Sequence, residues 1–267
     1  MIEILSYSFM QNALISGILV SVACGIVGTL VVVNRVVFIA GGIAHGAYGG
    51  LGIAFFLGIS PLFGALGFSL ALALIIALLT YKNKNRIDSV IGAIWAFGMA
   101  LGIILIDITP GYNVDLMSYL FGSILSVSIE DLYLIGIVAV FILTLTVLFY
   151  KEFLAMSFDM EFAKLQGVKV KLFYIILVMM MALCIVATIR AVGLILVIAL
   201  LTIPPYIAEK FCVRLGSMMA LSTTLSIIFT ALGLTLSYKF NLTSGASIIM
   251  VAVFTFLLTE IYVRVIK

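Results

Sequence analysis

Few side chains in this 267-residue chain can do chemistry, and the one that stands out is its single histidine, His45. A lone imidazole serves a hydrolytic triad only beside a Ser, Cys or Asp motif, and His45 has none. The sequence holds no Gly-x-x-x-x-Gly-Lys-Ser/Thr loop, no His-Glu-x-x-His pair and no Gly-x-Ser-x-Gly elbow. Cys24, Cys184 and Cys212 fall in or at the edge of apolar runs without Cys-x-x-Cys spacing, so they read as small core residues. Enzymatic chemistry on covalent bonds is therefore not expected. What His45 can do is coordinate, because neutral imidazole is the commonest transition-metal ligand and intramembrane ionisable groups usually face a pathway. The competing reading is a packing histidine bonded to a neighbouring helix.

The segment around it, Ala40 to Gly50, carries five glycines. Gly42, Gly46 and Gly50 recur every four residues on one helical face, where a neighbouring backbone can approach closely; helix packing or a pathway wall would both use them. The element that positions these residues follows from composition. With 65% hydrophobic residues, 9% charged residues and a mean hydropathy of +1.40, a water-soluble domain is excluded. The net charge of +3 is too small to suggest a nucleic-acid partner.

At about 20 residues per span, the apolar supply predicts an all-α integral membrane bundle forming one transmembrane domain over 1–267. Apolar runs place nine spans near 13–33, 36–59, 62–81, 89–107, 132–150, 172–189, 191–209, 217–238 and 244–264. Eight would result if 172–203 were one helix, but that helix would reach about 48 Å against a bilayer core of about 30 Å. A turn near Arg190 and Gly193 is expected instead. Further on, Pro204-Pro205 removes two backbone donors, which predicts a helix stop or a gating hinge with Gly193.

Basic residues sort by alternate loops, twelve on one side and only Arg190 and Lys239 on the other. The positive-inside rule then puts the C-terminus in the cytoplasm and the N-terminus outside. No Lys or Arg precedes Arg35, so the first apolar segment is expected to stay in the mature protein. Residues 119–125 are read as a short re-entrant or interfacial helix in the outer loop. The inner stretch 151–171 mixes Phe158, Phe162 and Leu165 with Asp159, Glu161 and Lys164, which predicts a short amphipathic helix closed by Gly167. Asp107, Arg190, Glu209 and Glu260 sit at span ends, where snorkelling accounts for them. With almost no mid-membrane carboxylates, an ion-coupled relay lacks its parts, and the energy for any transport is expected from elsewhere.

Taken in order, several segments resemble the membrane subunit of ABC importers for zinc, manganese and iron. They are Asn34-Arg35-Val36-Val37-Phe38 leading into Ile43-Ala44-His45, Leu120 to Leu125, Asp159 to Val168, Val192-Gly193-Leu194 through Pro204, and Ser244-Gly245-Ala246. The resemblance implies a cell-membrane permease with the bundle of cobalamin and siderophore importers, working as a homodimer. Its implied partners are a cytoplasmic ATPase dimer and an extracytoplasmic metal-binding protein, with no tightly bound cofactor. It further implies that 159–168, with Asp159, Glu161, Ala163 and Gly167, is the coupling helix that docks on the ATPase. Many family members carry Asp one turn before the histidine, where this chain has Gly41. The cargo implied is a divalent ion, zinc ahead of manganese because imidazole suits zinc better. A self-contained secondary carrier and a metal-chelate importer are the alternative readings.

Overall fold

The computed structural model describes residues 8–81, 87–110, 122 and 124–266. Lys82, Lys84, Arg86, Asp115, Lys267 and most of the 119–125 segment lie outside the described residues; overlapping its end, Ile124–Ser126 forms one 3-10 turn. The helices are α1 (Ser8–Val33), α2 (Val37–Leu57), α3 (Pro61–Thr80), α4 (Ile87–Asp107), α5 (Ile129–Leu148), α6 (Tyr150–Phe158), α7 (Met160–Leu165), α8 (Val170–Val192), α9 (Leu194–Phe211), α10 (Leu215–Phe240) and α11 (Ser244–Ile266). Among the described residues nine helices, all but the short α6 and α7, are long and apolar enough to cross a membrane.

Helix ends fall where the backbone chemistry demands them. Gly58 takes a left-handed φ of 68° at the end of α2, and Pro61 opens α3, where its missing N–H costs nothing. The α8–α9 break comes at Gly193, with φ 81°, as the length of the 172–203 run requires. Inside the spans, hydroxyls return to their own helix. Thr29 donates to the Gly25 carbonyl at 2.7 Å and Thr202 to Ile198 at 2.9 Å, which keeps those two hydroxyls paired within the span.

The chain divides into two compact units. In the first, α1 packs against α5, α9 and α10, and α11 packs against α9 and α10. In the second, α2 lies between α3 and α4, and Asn34 Nδ2 donates to Ser157 Oγ at 2.8 Å, tying the turn before α2 to α6.

Three expectations are corrected. Pro204 and Pro205 do not stop their helix; α9 runs through both to Phe211. The prolines still remove the amides that would bond the carbonyls of Leu200 and Leu201, and α1 packs against that side of the helix at Gly28. Arg190 is no mere snorkelling end residue, because its Nε stands 3.5 Å from Asp131 Oδ1 of α5. Glu260 of α11 likewise meets Lys210 Nζ of α9 at 3.6 Å. The 151–171 stretch also holds two helices rather than one, since α6 occupies Tyr150–Phe158 before α7 begins.

Candidate functional site

His45 lies midway along α2, and its imidazole stacks on the indole of Trp95 in α4. The ring centroids are 4.0 Å apart and the planes 11° from parallel. Such contact needs closely approaching helices, and glycines on both sides provide it. A Cβ at Gly98 would meet the Gly46 Cα at 2.7 Å, and one at Gly49 would meet the Gly98 carbonyl oxygen at 3.0 Å. Gly52 faces the Gly102 backbone. Of the other spaced glycines, Gly50 faces the Gly64 backbone of α3 and Gly42 faces the Ile91 side chain of α4, so the three do not share one neighbour. Gly41 has open space where a side chain would go.

His45 Nδ1 is buried without a hydrogen-bond partner, and so is the hydroxyl of Tyr48, a residue only 4% exposed. Among the described residues no three His, Cys, Asp or Glu side chains gather to hold a metal.

The second feature is α7. Asp159 caps it, its Oδ1 accepting from the amides of Glu161 at 2.8 Å and Phe162 at 3.1 Å. The other end closes in a Schellman turn: the Gly167 amide donates to Lys164 O and the Val168 amide to Ala163 O, both at 3.0 Å. Gly167 sits at φ 82°, a conformation that glycine adopts without strain. Lys164 Nζ donates to Glu161 Oε1 at 2.6 Å, and that carboxylate holds the ammonium above its usual range. Ala163 is fully buried, while Phe158 at 89% and Leu165 at 85% exposure point away from their own chain. Beside α7 a cavity of about 300 Å³ opens between Arg35, Thr80, Tyr81, Met160 and Tyr174, with Thr80 and Tyr174 joined by a 2.9 Å hydrogen bond.

Residues 6–263 match the ABC 3 transport family, nearly the whole chain. The chain belongs to that family. Within the ABC 3 transport family it is 47% identical over 99% of its length to the uncharacterized membrane protein slr2045 of Synechocystis sp., covering 94% of that protein. It is 34% identical to the manganese transport system membrane protein MntC of Listeria monocytogenes, covering 97% of this chain and 92% of the relative. Among solved structures, PsaBC from Streptococcus pneumoniae in complex with Fab superposes with a TM-score of 0.85 at 35% identity, over 97% of this chain and 93% of that one. The chain is thus a multi-pass ABC permease subunit, and the all-α architecture read from hydropathy is that of the ABC 3 transport family.

Several participants escaped the sequence reading. Trp95 was one more aromatic in an apolar run, although it is the only tryptophan present. The Gly98-x-x-x-Gly102 spacing was a signal available in α4, the same small-residue seam already noted in α2. Gly193 caps the start of α9, whereas the two prolines stand inside it, eleven and twelve residues further on.

Proposed function

We propose that this permease forms the translocation pathway of an ATP-driven importer for divalent transition-metal ions, with His45 as the pathway ligand. The observation that carries the reading is the family match over residues 6–263, joined to one imidazole whose Nδ1 is buried and unpartnered in a span. Family membership supports a cytoplasmic ATPase, an extracytoplasmic binding protein and assembly as a homodimer, which would bring two copies of His45 toward a shared axis. The twelve-to-two distribution of basic residues supports a cytoplasmic C-terminus and an external N-terminus. α7 and the end of α6 then face the ATPase, exposed Phe158 of α6 with Phe162 and Leu165 of α7 supplying anchors and their charged neighbours the register.

Zinc is the cargo this donor chemistry favours, because an imidazole without a nearby carboxylate suits it better than oxygen-preferring manganese. MntC relatives are manganese transport proteins, and that supports manganese as the competing cargo. A single neutral ligand also suits a conduit, where an ion held too tightly cannot leave.

The test is uptake of radioactive zinc and manganese by vesicles holding the chain with and without its ATPase. The importer predicts uptake only with ATPase and ATP, zinc ahead of manganese, and its loss in His45→Ala with assembly intact. Uptake by the chain alone would establish a secondary carrier instead.

A further inference from the structure

We infer that Trp95 is the positioning residue for His45, holding the imidazole by its π face so that the in-plane nitrogen lone pair stays free for the passing ion. This rests on the proposed role of His45. Metal-binding histidines are usually oriented by donating the second ring N–H to a carboxylate or carbonyl. That device is missing here. His45 Nδ1 has no partner, α2 and α3 contain no Asp or Glu, and those of α4, Asp88 and Asp107, stand at its two ends. They lie seven and twelve residues from Trp95, about 10 and 18 Å along the axis at 1.5 Å per residue.

Stacking solves the same problem differently. A ring lying at 4.0 Å and 11° on an indole cannot tumble, yet the one available lone pair and the N–H of a neutral imidazole both lie in the ring plane, clear of the contact. A hydrogen bond would occupy one nitrogen and raise the basicity of the other; an indole face does neither, leaving a ligand that is oriented but weak. When the ion binds, the imidazole gains positive character, and the negative indole face then attracts it more strongly. The support is therefore best in the loaded state.

The indole is itself held. Its Nε1–H donates to Met99 Sδ at 2.9 Å, one turn along α4. The Phe38 ring, two turns before His45 on α2, stands 6.5 Å from it. Gly46 and Gly98 bring the two helix backbones together at the level of the stack.

Because Trp95 is the only tryptophan, the emission of the purified full-length permease reports this position alone. Titration with Zn²⁺ should change that emission in the native chain and not in His45→Ala. By calorimetry, Trp95→Leu should weaken Zn²⁺ binding about tenfold, the scale of a desolvated cation-π contact, while Trp95→Phe keeps it within about twofold. Copurification of the ATPase should be unchanged in both. Native binding in Trp95→Leu, equal losses in the Leu and Phe variants, or no emission change in the native chain would each overturn the positioning role while leaving His45 as ligand. Unchanged binding and uptake in His45→Ala would overturn the ligand reading itself. If the Leu variant does not assemble, native emission and the Phe variant still decide.

Discussion

Gly28 of α1 lies against the carbonyl of Leu201 in α9, the group left without its helical amide donor by Pro205. A Cβ at position 28 would meet that carbonyl and also the Pro205 Cγ at 2.9 Å. Glycine thus admits the proline-bearing face of α9 to the centre of its unit. Gly28→Ala should cost about 1–3 kcal/mol by overpacking, read as a lower melting temperature in detergent. Gly41→Ala is the control: nothing lies within 4 Å of its added Cβ, and helix propensity should favour alanine by about 1 kcal/mol. Equal melting of the two variants would mean the close approach carries no energy.

Arg190 and Asp131 give a second, asymmetric expectation. Asp131 is 8% exposed and already shares a reciprocal cap with Ser128, whose Oγ donates to Asp131 Oδ2 at 2.7 Å and accepts from the Asp131 amide at 3.2 Å. Arg190→Ala leaves a buried charge without its cation and should destabilise by about 1–3 kcal/mol. Asp131→Asn removes the charge but keeps an acceptor for Ser128, so its loss should be smaller. Melting curves of both variants at one pH and salt concentration check the order.

In α7 the two caps can be separated. Asp159→Ala removes the acceptor for two amides and should cost the helix about 1 kcal/mol. Gly167→Val forces a β-branched residue to φ 82°, at a cost of about 1–2 kcal/mol, and breaks the Schellman turn. Both should reduce copurification of the ATPase, or uncouple hydrolysis from uptake, without changing membrane insertion. Normal coupling in both would remove α7 from energy transmission.

Orientation is checked by single cysteines at Leu165 and Leu242, both exposed and in segments of opposite basic content. A membrane-impermeant thiol reagent should label position 242 from outside and position 165 only after the cytoplasmic face is opened. The reverse pattern would invert the topology.

Gly41→Asp restores a carboxylate one turn before His45. A side chain added there meets no atom within 4 Å of its Cβ. The variant should insert normally and shift the zinc-to-manganese uptake ratio toward manganese, since the added oxygen donor suits the harder ion. An unchanged ratio would place position 41 away from the ion's path.

What could be read without a structure was what is local. Span number, span length and the turn at Gly193 follow from hydropathy summed over about 20 residues and from the rise per residue, both properties of the chain alone. The cap at Gly167 was legible for the same reason, because a glycine closing a short amphipathic run is a local backbone demand. His45 stood out by residue type, being the only imidazole.

Tertiary structure alone decided which side of each helix meets which neighbour. In α5, Ile135, Val138 and Ile142 are buried while Ile137, Val140 and Phe141 are exposed, and nothing in their chemistry distinguishes the two sets. Lipid is as apolar as a protein core, so a spanning helix needs no amphipathic stripe and its rotation leaves little trace in the sequence. The stack of His45 on Trp95, the pairing of Arg190 with Asp131 and the seat of Gly28 on Leu201 all depend on that rotation. They became visible only once the helices were packed, because each joins residues 50 or more apart in the chain through a contact no wider than one side chain.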